Sequence, residues 1–110
     1  MDNCIFCKIV RGELPADVVY ENDNLLAFRD INPLAPTHVV VITKKHFTFL
    51  DDLTEAEIQL AGEILLTIKQ VAHKLGVAGA YKVVTNCGER AGQMVPHLHF
   101  HVLAGKKFAP

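Results

Sequence analysis

The stretch Pro96-His97-Leu98-His99-Phe100-His101-Val102-Leu103 alternates imidazoles with apolar side chains. Side chains of a strand point to alternate faces with a period of two residues. Read as a strand over Leu98–Leu103, the segment puts His97, His99 and His101 on one face. Leu98, Phe100 and Val102 take the other. The apolar set then faces a core and the imidazoles face a cleft. Three neighbouring titratable groups are costly unless they are used, and such clusters mark functional sites.

Working outward, Cys87 to Pro96 carries Gly88 and Gly92 and reads as a loop. Tyr81 to Asn86 reads as the strand before it. Further upstream, Thr54 to about Leu75 is a helix. Thr54 and Glu57 have capping-box spacing, and Leu53 with Ile58 has the spacing of a hydrophobic staple. Ala61, Ile64, Leu65, Ile68, Val71, Ala72 and Leu75 recur at steps of three and four, which predicts one buried stripe. Gly76 suits the left-handed position that ends a helix. His73 lies among Lys69, Gln70 and Lys74 and belongs on a solvated face.

Before the helix, His38 to Thr43 contains Val39-Val40-Val41-Ile42, an unbroken apolar run typical of a central strand. Asp17–Glu21 and Leu25–Arg29 flank the turn Asn22-Asp23-Asn24 and predict a hairpin. Pro33 and Pro36 keep Asp30 to Pro36 irregular. Ile5 to Val10 makes one or two helical turns, ended by Gly12. Strands, one long helix, then strands predict the α+β class: a five-stranded antiparallel sheet with one long helix packed on it, in a single domain over 1–110.

Composition narrows the function. The chain has 110 residues, 50% hydrophobic and 21% charged, with a formal net charge of -1. No global field steers it to nucleic acid or to an acidic membrane. Apolar runs reach only about five residues, too short to span a bilayer. The start Met1-Asp2-Asn3-Cys4 lacks the basic and apolar regions of a secretory signal, so a cytoplasmic location is expected. Three cysteines, Cys4, Cys7 and Cys87, argue against a disulfide framework.

The three imidazoles admit several chemistries. A neutral imidazole is a good nucleophile toward phosphorus, and its neighbours can donate to the non-bridging oxygens. Alternatively, His-x-His in a strand can place two nitrogens on one metal ion. The plain reading is a strand face with surface histidines. Asn86, Gly88, Gly92 and Gln93 form a loop whose amides could approach a phosphate. Cys4-x-x-Cys7 is open to metal binding or redox chemistry, although the strand expected before a redox pair is missing. Cys87 has no partner and reads as a small buried hydrophobe.

The chain resembles the HIT (histidine triad) family of nucleotide hydrolases and transferases, in its Hint-type branch. The resemblance rests on Cys4-Ile5-Phe6-Cys7-Lys8-Ile9, on Phe28-Arg29-Asp30-Ile31-Asn32-Pro33, on Ala35-Pro36-Thr37-His38, and on Asn86-x-Gly88. Ala91-Gly92-Gln93 and His-x-His-x-His then follow in order. The third imidazole, His101, resembles the hydrolases, since uridylyltransferases carry glutamine there. The resemblance implies that His99 attacks the α-phosphorus to form a nucleotidyl-histidine, which water releases. His101 and Asn86 would contact the phosphate, with Gly92, Gln93 and Met94 lining it. Asp30 would bind the ribose hydroxyls, and Phe6, Ile9, Phe28 and Ile31 would form an apolar base slot. His38 would support the triad's hydrogen bonds.

The resemblance also implies a structural Zn2+ held by Cys4, Cys7, His46 and His97, with no cofactor needed for the chemistry. A homodimer would pair the long helix and the Tyr81–Asn86 strand across a two-fold axis. The activity implied is cleavage of purine nucleoside phosphoramidates, derivatives of a purine nucleoside monophosphate. The alternatives are dinucleoside polyphosphate hydrolysis, a nucleotide-binding regulator or scaffold with little turnover, or zinc on the triad itself. Two departures bear on the leaving group. Met94 stands where animal Hint enzymes have serine, and a thioether has no proton to give. The chain also stops nine residues after His101, without the longer tail that shapes substrate choice in Hint-type dimers.

Overall fold

Val39, Val40, Val41 and Ile42 are all buried, although they alternate between the two faces of one strand. A strand with both faces covered must lie inside a sheet that is packed on both sides. The computed structural model describes residues 3–110. Met1 and Asp2, read above as part of a leaderless start, lie outside the described residues. The elements are α1 (Ile5–Val10), β1 (Val18–Glu21), β2 (Leu25–Arg29), β3 (Thr37–Thr43), α2 (Ile58–Lys74), β4 (Tyr81–Val84) and β5 (His99–Ala104). Short 3-10 turns at Leu50–Asp52, Glu55–Glu57 and Glu89–Ala91 were not expected from the sequence. The strands form one antiparallel sheet in the order β1-β2-β3-β5-β4. The predicted α+β architecture of five antiparallel strands and one long helix is the one observed.

The sheet buries a different set of residues on each face. On one, Ile64, Ile68 and Val71 of α2 pack with Leu25, Ala27, Val39, Val41, Leu98, Phe100 and Val102. Each such aliphatic side chain contributes about 1.5–3 kcal/mol relative to exposure. On the other, Leu26, Phe28, Val40 and Ile42 pack with Cys4, Phe6 and Cys7 of the N-terminal segment. The second layer is thin, and β5 presents its imidazoles on that side.

Helix α2 begins as expected: the Thr54 N–H donates to Glu57 Oε1 (2.8 Å) and the Ala56 N–H to Thr54 Oγ1 (3.2 Å). A 3-10 turn precedes the α-helix. The expected staple does not form: Ile58 is 68% exposed, while Leu53 packs on the α2-side core. Leu65, expected in the buried stripe, is 64% exposed. It lies seven residues from Ile58, two turns along the same outer face. Gly76 adopts φ +76°, as a helix-ending glycine should.

Candidate functional site

Strand pairing brings the imidazoles together. His99 lies opposite Ile42 and His101 opposite Val40 in the β3–β5 ladder, while His38 is the second residue of β3, opposite Leu103. The His99 and His101 rings lie 5.0 Å apart, and those of His38 and His101 5.1 Å. The face is shared as the alternation requires, but it is not an open cleft. His97 is fully buried (0% exposed), His99 is buried and His101 is half-buried.

Partners that can only donate or only accept assign the ring protons. The Leu34 N–H donates to His38 Nδ1 (3.0 Å), so neutral His38 carries its proton on Nε2. That N–H points to His101 Nδ1 at 2.9 Å, with Asp30 Oδ2 3.4 Å away. Neutral His101 is therefore protonated on Nε2 and can donate from it. His99 Nδ1–H donates to the His97 carbonyl (2.6 Å), which leaves a lone pair on His99 Nε2. Thr85 Oγ1 donates to the His99 carbonyl at 2.6 Å and fixes the strand backbone there. Burial keeps these rings neutral. It lowers His101 to about 4, with help from His99 and His38, and lowers His38 and His99 despite the upward pull of Asp30.

His97 points the other way. Its Nε2–H donates to the Thr43 carbonyl (2.7 Å), which turns the Nδ1 lone pair toward Cys4 Sγ (3.2 Å) and Cys7 Sγ (3.6 Å). His46 Nδ1 lies 3.3 Å from Cys7 Sγ. The ligand atoms of Cys4, Cys7, His46 and His97 all lie within 4.8 Å of one another. Two sulfurs and two nitrogens are a tetrahedral donor set, and a ligating histidine characteristically gives its other N–H to a carbonyl. Burial and the neighbouring Cys4 push the Cys7 thiol up, so the pocket favours neutral thiols until a cation draws off their protons. A second group, Asp30, His38 and His101, is equally close. There the Leu34 N–H and the His38–His101 bond already occupy both nitrogens of His38 and Nδ1 of His101, which argues against a cation between these three groups.

The remaining expected residues separate into those that line cavities and those that do not. Ile9, Phe28, Asp30 and Ile31 line a slot of about 250 Å3 together with Ile5 and Leu14. Ile31 is 91% exposed at its rim. Phe6, expected in the same slot, is buried beneath His97 and His99 instead. Asp30 Oδ1 accepts the Asn32 N–H (2.8 Å), which ties the carboxylate to its loop. Gly88, Gly92, Gln93 and Met94 line a concavity of about 560 Å3 with Thr48 and Phe49. Met94 is 92% exposed there. Asn86 Nδ2 spans the loop to the Ala91 carbonyl (2.8 Å). A concavity of about 1000 Å3 lies between the Asn22–Asn24 turn and α2 and contains none of the imidazoles. Cys87, expected to be buried, is half-buried, because it sits in this loop and not under the sheet.

The Gln93 side chain is turned into its own loop. Its Oε1 accepts the Gly88 N–H (2.7 Å), and its Nε2 donates to the carbonyls of Thr48 (2.6 Å) and Val95 (3.0 Å). Those bonds engage both ends of the amide, so the buried side chain braces the loop around Gly88 and Gly92. Both glycines have positive φ, +90° and +93°, where a side chain is strained. Gln93→Ala should cost about 1–3 kcal/mol by leaving these groups unpaired, read as a lower urea midpoint. Gln93→Glu should not rescue it, because a carboxylate cannot donate to two carbonyls.

Fold and site define a class: a small sheet protein with a nucleophile-ready imidazole beside a chain of donors. The HIT domain family model matches residues 11–108. An uncharacterized HIT-like protein of Synechocystis is 45% identical over 98% of this chain and 95% of its own length. The crystal structure of a HIT family hydrolase from Legionella pneumophila superposes with a TM-score of 0.94 at 44% identity, covering 97% of this chain and 96% of that one. A HIT family hydrolase from Clostridium thermocellum gives 0.96 at 42% identity, covering 100% and 96%. The chain belongs to the HIT family.

Proposed function

We propose that this protein is a nucleotide hydrolase that cleaves purine nucleoside phosphoramidates through a covalent intermediate on His99. One observation carries the reading: His99 Nδ1–H is held by the His97 carbonyl, which leaves the Nε2 lone pair as the nucleophile. Similarity to HIT family hydrolases supports hydrolysis. In the first step His99 Nε2 attacks the α-phosphorus and the phosphorus–nitrogen bond breaks. The amine leaves with a proton from solvent, since Met94 has none to supply. His101 Nε2–H donates to a non-bridging oxygen as charge moves onto it, and His38 holds that tautomer in place. Water then attacks the same phosphorus, the P–Nε2 bond breaks, and the nucleoside monophosphate is released. On this reading Asp30 would bind the ribose hydroxyls, and the slot lined by Ile9, Phe28, Asp30 and Ile31 would take the base.

The test is a substrate comparison. Product from an adenosine phosphoramidate but not from a diadenosine polyphosphate supports the reading. Product from the second alone makes the protein a dinucleoside polyphosphate hydrolase. Nucleotide binding without product from either leaves a binding protein.

Burial sets the pH range of this chemistry. A base whose folded pKa is depressed stays neutral, and so competent, until the pH falls below its folded value. For His38 that value lies below 6.5, and for His101 it is about 4. The acidic limb of kcat/KM should therefore fall below pH 6.5. A midpoint above pH 7 would contradict neutral His38 and His101 as the working forms.

The cluster of Cys4, Cys7, His46 and His97 fits Zn2+ by donor type and spacing. When bound, the ion supplies a crosslink between the N-terminal segment and the sheet. No helix among the described residues is long and apolar enough to cross a membrane. The two-fold reading is supported by two features that need cover. Strand β4 ends the sheet with an unpaired edge, and Ile58, Leu65, Leu66 and Val83 expose apolar surface. Leu65→Glu should convert a dimer to a monomer in sedimentation; a wild-type monomer at micromolar concentration would remove the dimer from the proposal.

A further inference from the structure

We propose that Phe6 is a positioning residue for the nucleophile His99, and that the Cys4/Cys7/His46/His97 cluster holds Phe6 in place. The inference rests on the hydrolase reading above for its kinetic part only.

Phe6 lies in the chain between the two sulfur donors. Its six-residue helix is too short to be stable alone, so its orientation depends on what pins it. Cys4 Sγ accepts the Cys7 N–H (3.3 Å), and both sulfurs converge on His97 Nδ1. Between these pins the Phe6 ring is driven inward. It meets His99 edge-on at 5.1 Å and 81°, His97 at 5.8 Å and Phe28 at 5.6 Å.

The nucleophile needs such a neighbour. The hydrogen bond from Nδ1 to the His97 carbonyl fixes one atom of the ring and leaves its tilt to packing. Its ring neighbours are His101 at 5.0 Å and Phe6. Phe6 is thus placed to set where Nε2 points. His97 completes the link: its ring belongs to the cluster, and its main-chain carbonyl holds His99. The cluster therefore grips the nucleophile from two sides. Phe6 is not among the residues lining the slot of Ile9, Phe28, Asp30 and Ile31, and two of its three ring neighbours are His97 and His99. A misplacement of about 1 Å can cost roughly 100-fold in rate.

The experiment compares Phe6→Leu, the milder Phe6→Met and wild type, each loaded with Zn2+, and wild type after chelation. The primary readout uses no substrate: the rate at which diethyl pyrocarbonate modifies His99, followed by peptide mapping. Expected is a severalfold change in Phe6→Leu at unchanged metal content, a smaller change in Phe6→Met, and the same direction after chelation. With substrate, kcat should fall about 10- to 100-fold with KM within about threefold. Phe6→Tyr, which keeps the ring, should restore most of kcat. Chelating Phe6→Leu should add little, since the two changes act on one contact. Unchanged His99 reactivity in both leucine and methionine variants overturns the proposal. So does a raised KM at constant kcat, which would assign Phe6 to base binding; fully additive losses overturn the coupling to the cluster. Failure of wild type to turn over any nucleotide would sink the hydrolase reading, and the reactivity comparison would still decide this one.

Discussion

His99→Asn lowers turnover of an adenosine phosphoramidate by about 10,000-fold or more, the scale seen when a covalent nucleophile is removed. The substitution is chosen for what it keeps. An asparagine amide can still donate to the His97 carbonyl, which His99 Nδ1–H reaches at 2.6 Å. It has no nucleophilic nitrogen where Nε2 stood, because an amide nitrogen's lone pair is delocalised. Nucleotide binding should survive within about tenfold, since Asp30, Phe28 and His101 remain. Both steps are lost together, so no nucleotidyl-protein adduct should be detected by mass spectrometry. His101→Asn should behave differently: attack still occurs, but charge on the non-bridging oxygen loses one donor, at a cost of about 100- to 1,000-fold. Full activity in His99→Asn would sink the covalent mechanism.

If the cluster holds Zn2+ as proposed, Cys4→Ser and Cys7→Ser should release it and lower the melting temperature by about 10–20 °C, corresponding to roughly 3 kcal/mol in a domain of this size. Structural zinc sites hold apparent binding free energies on the order of 10 kcal/mol, and that energy belongs to the folded state alone. Here a bound ion would join the start of α1 to the segment just before β5 through His97. His46→Asn should show a similar loss, whereas Cys87→Ser, outside the cluster, should be neutral. Chelation of wild type should reproduce the shift. A metal stoichiometry near zero in protein purified without chelator would remove zinc from the account. Near-neutral melting of all three cluster variants would do the same.

Several features were legible because they are local. The capping box at Thr54 and Glu57, the helix-ending Gly76 and the apolar run Val39–Ile42 each depend on residues within one or two turns of each other. Others failed for reasons outside the local pattern. Leu65 fits the helical stripe by spacing, yet the stripe that meets the sheet is centred on Ile64, Ile68 and Val71, and Leu65 lies off its edge on the outer face. Gln93 sits in a segment that resembles a phosphate loop. Only the fold shows that Thr48, Val95 and Gly88 consume its amide. Phe6 was grouped with the base slot by motif, and its contacts place it against His97 and His99.

The alternation from His97 to Val102 by itself turns the three imidazoles to one side of the sheet, because a strand's side-chain period is two, although β5 itself begins at His99. It could not distinguish them, since spacing carries no information on hydrogen-bond partners. The tertiary structure did so through three main-chain groups. The carbonyl of Thr43 turns His97 toward the sulfurs, the carbonyl of His97 frees Nε2 of His99, and the Leu34 N–H sets the His38–His101 pair. An imidazole becomes ligand, nucleophile or donor according to which of its nitrogens keeps the proton, and only neighbours brought together by folding decide that.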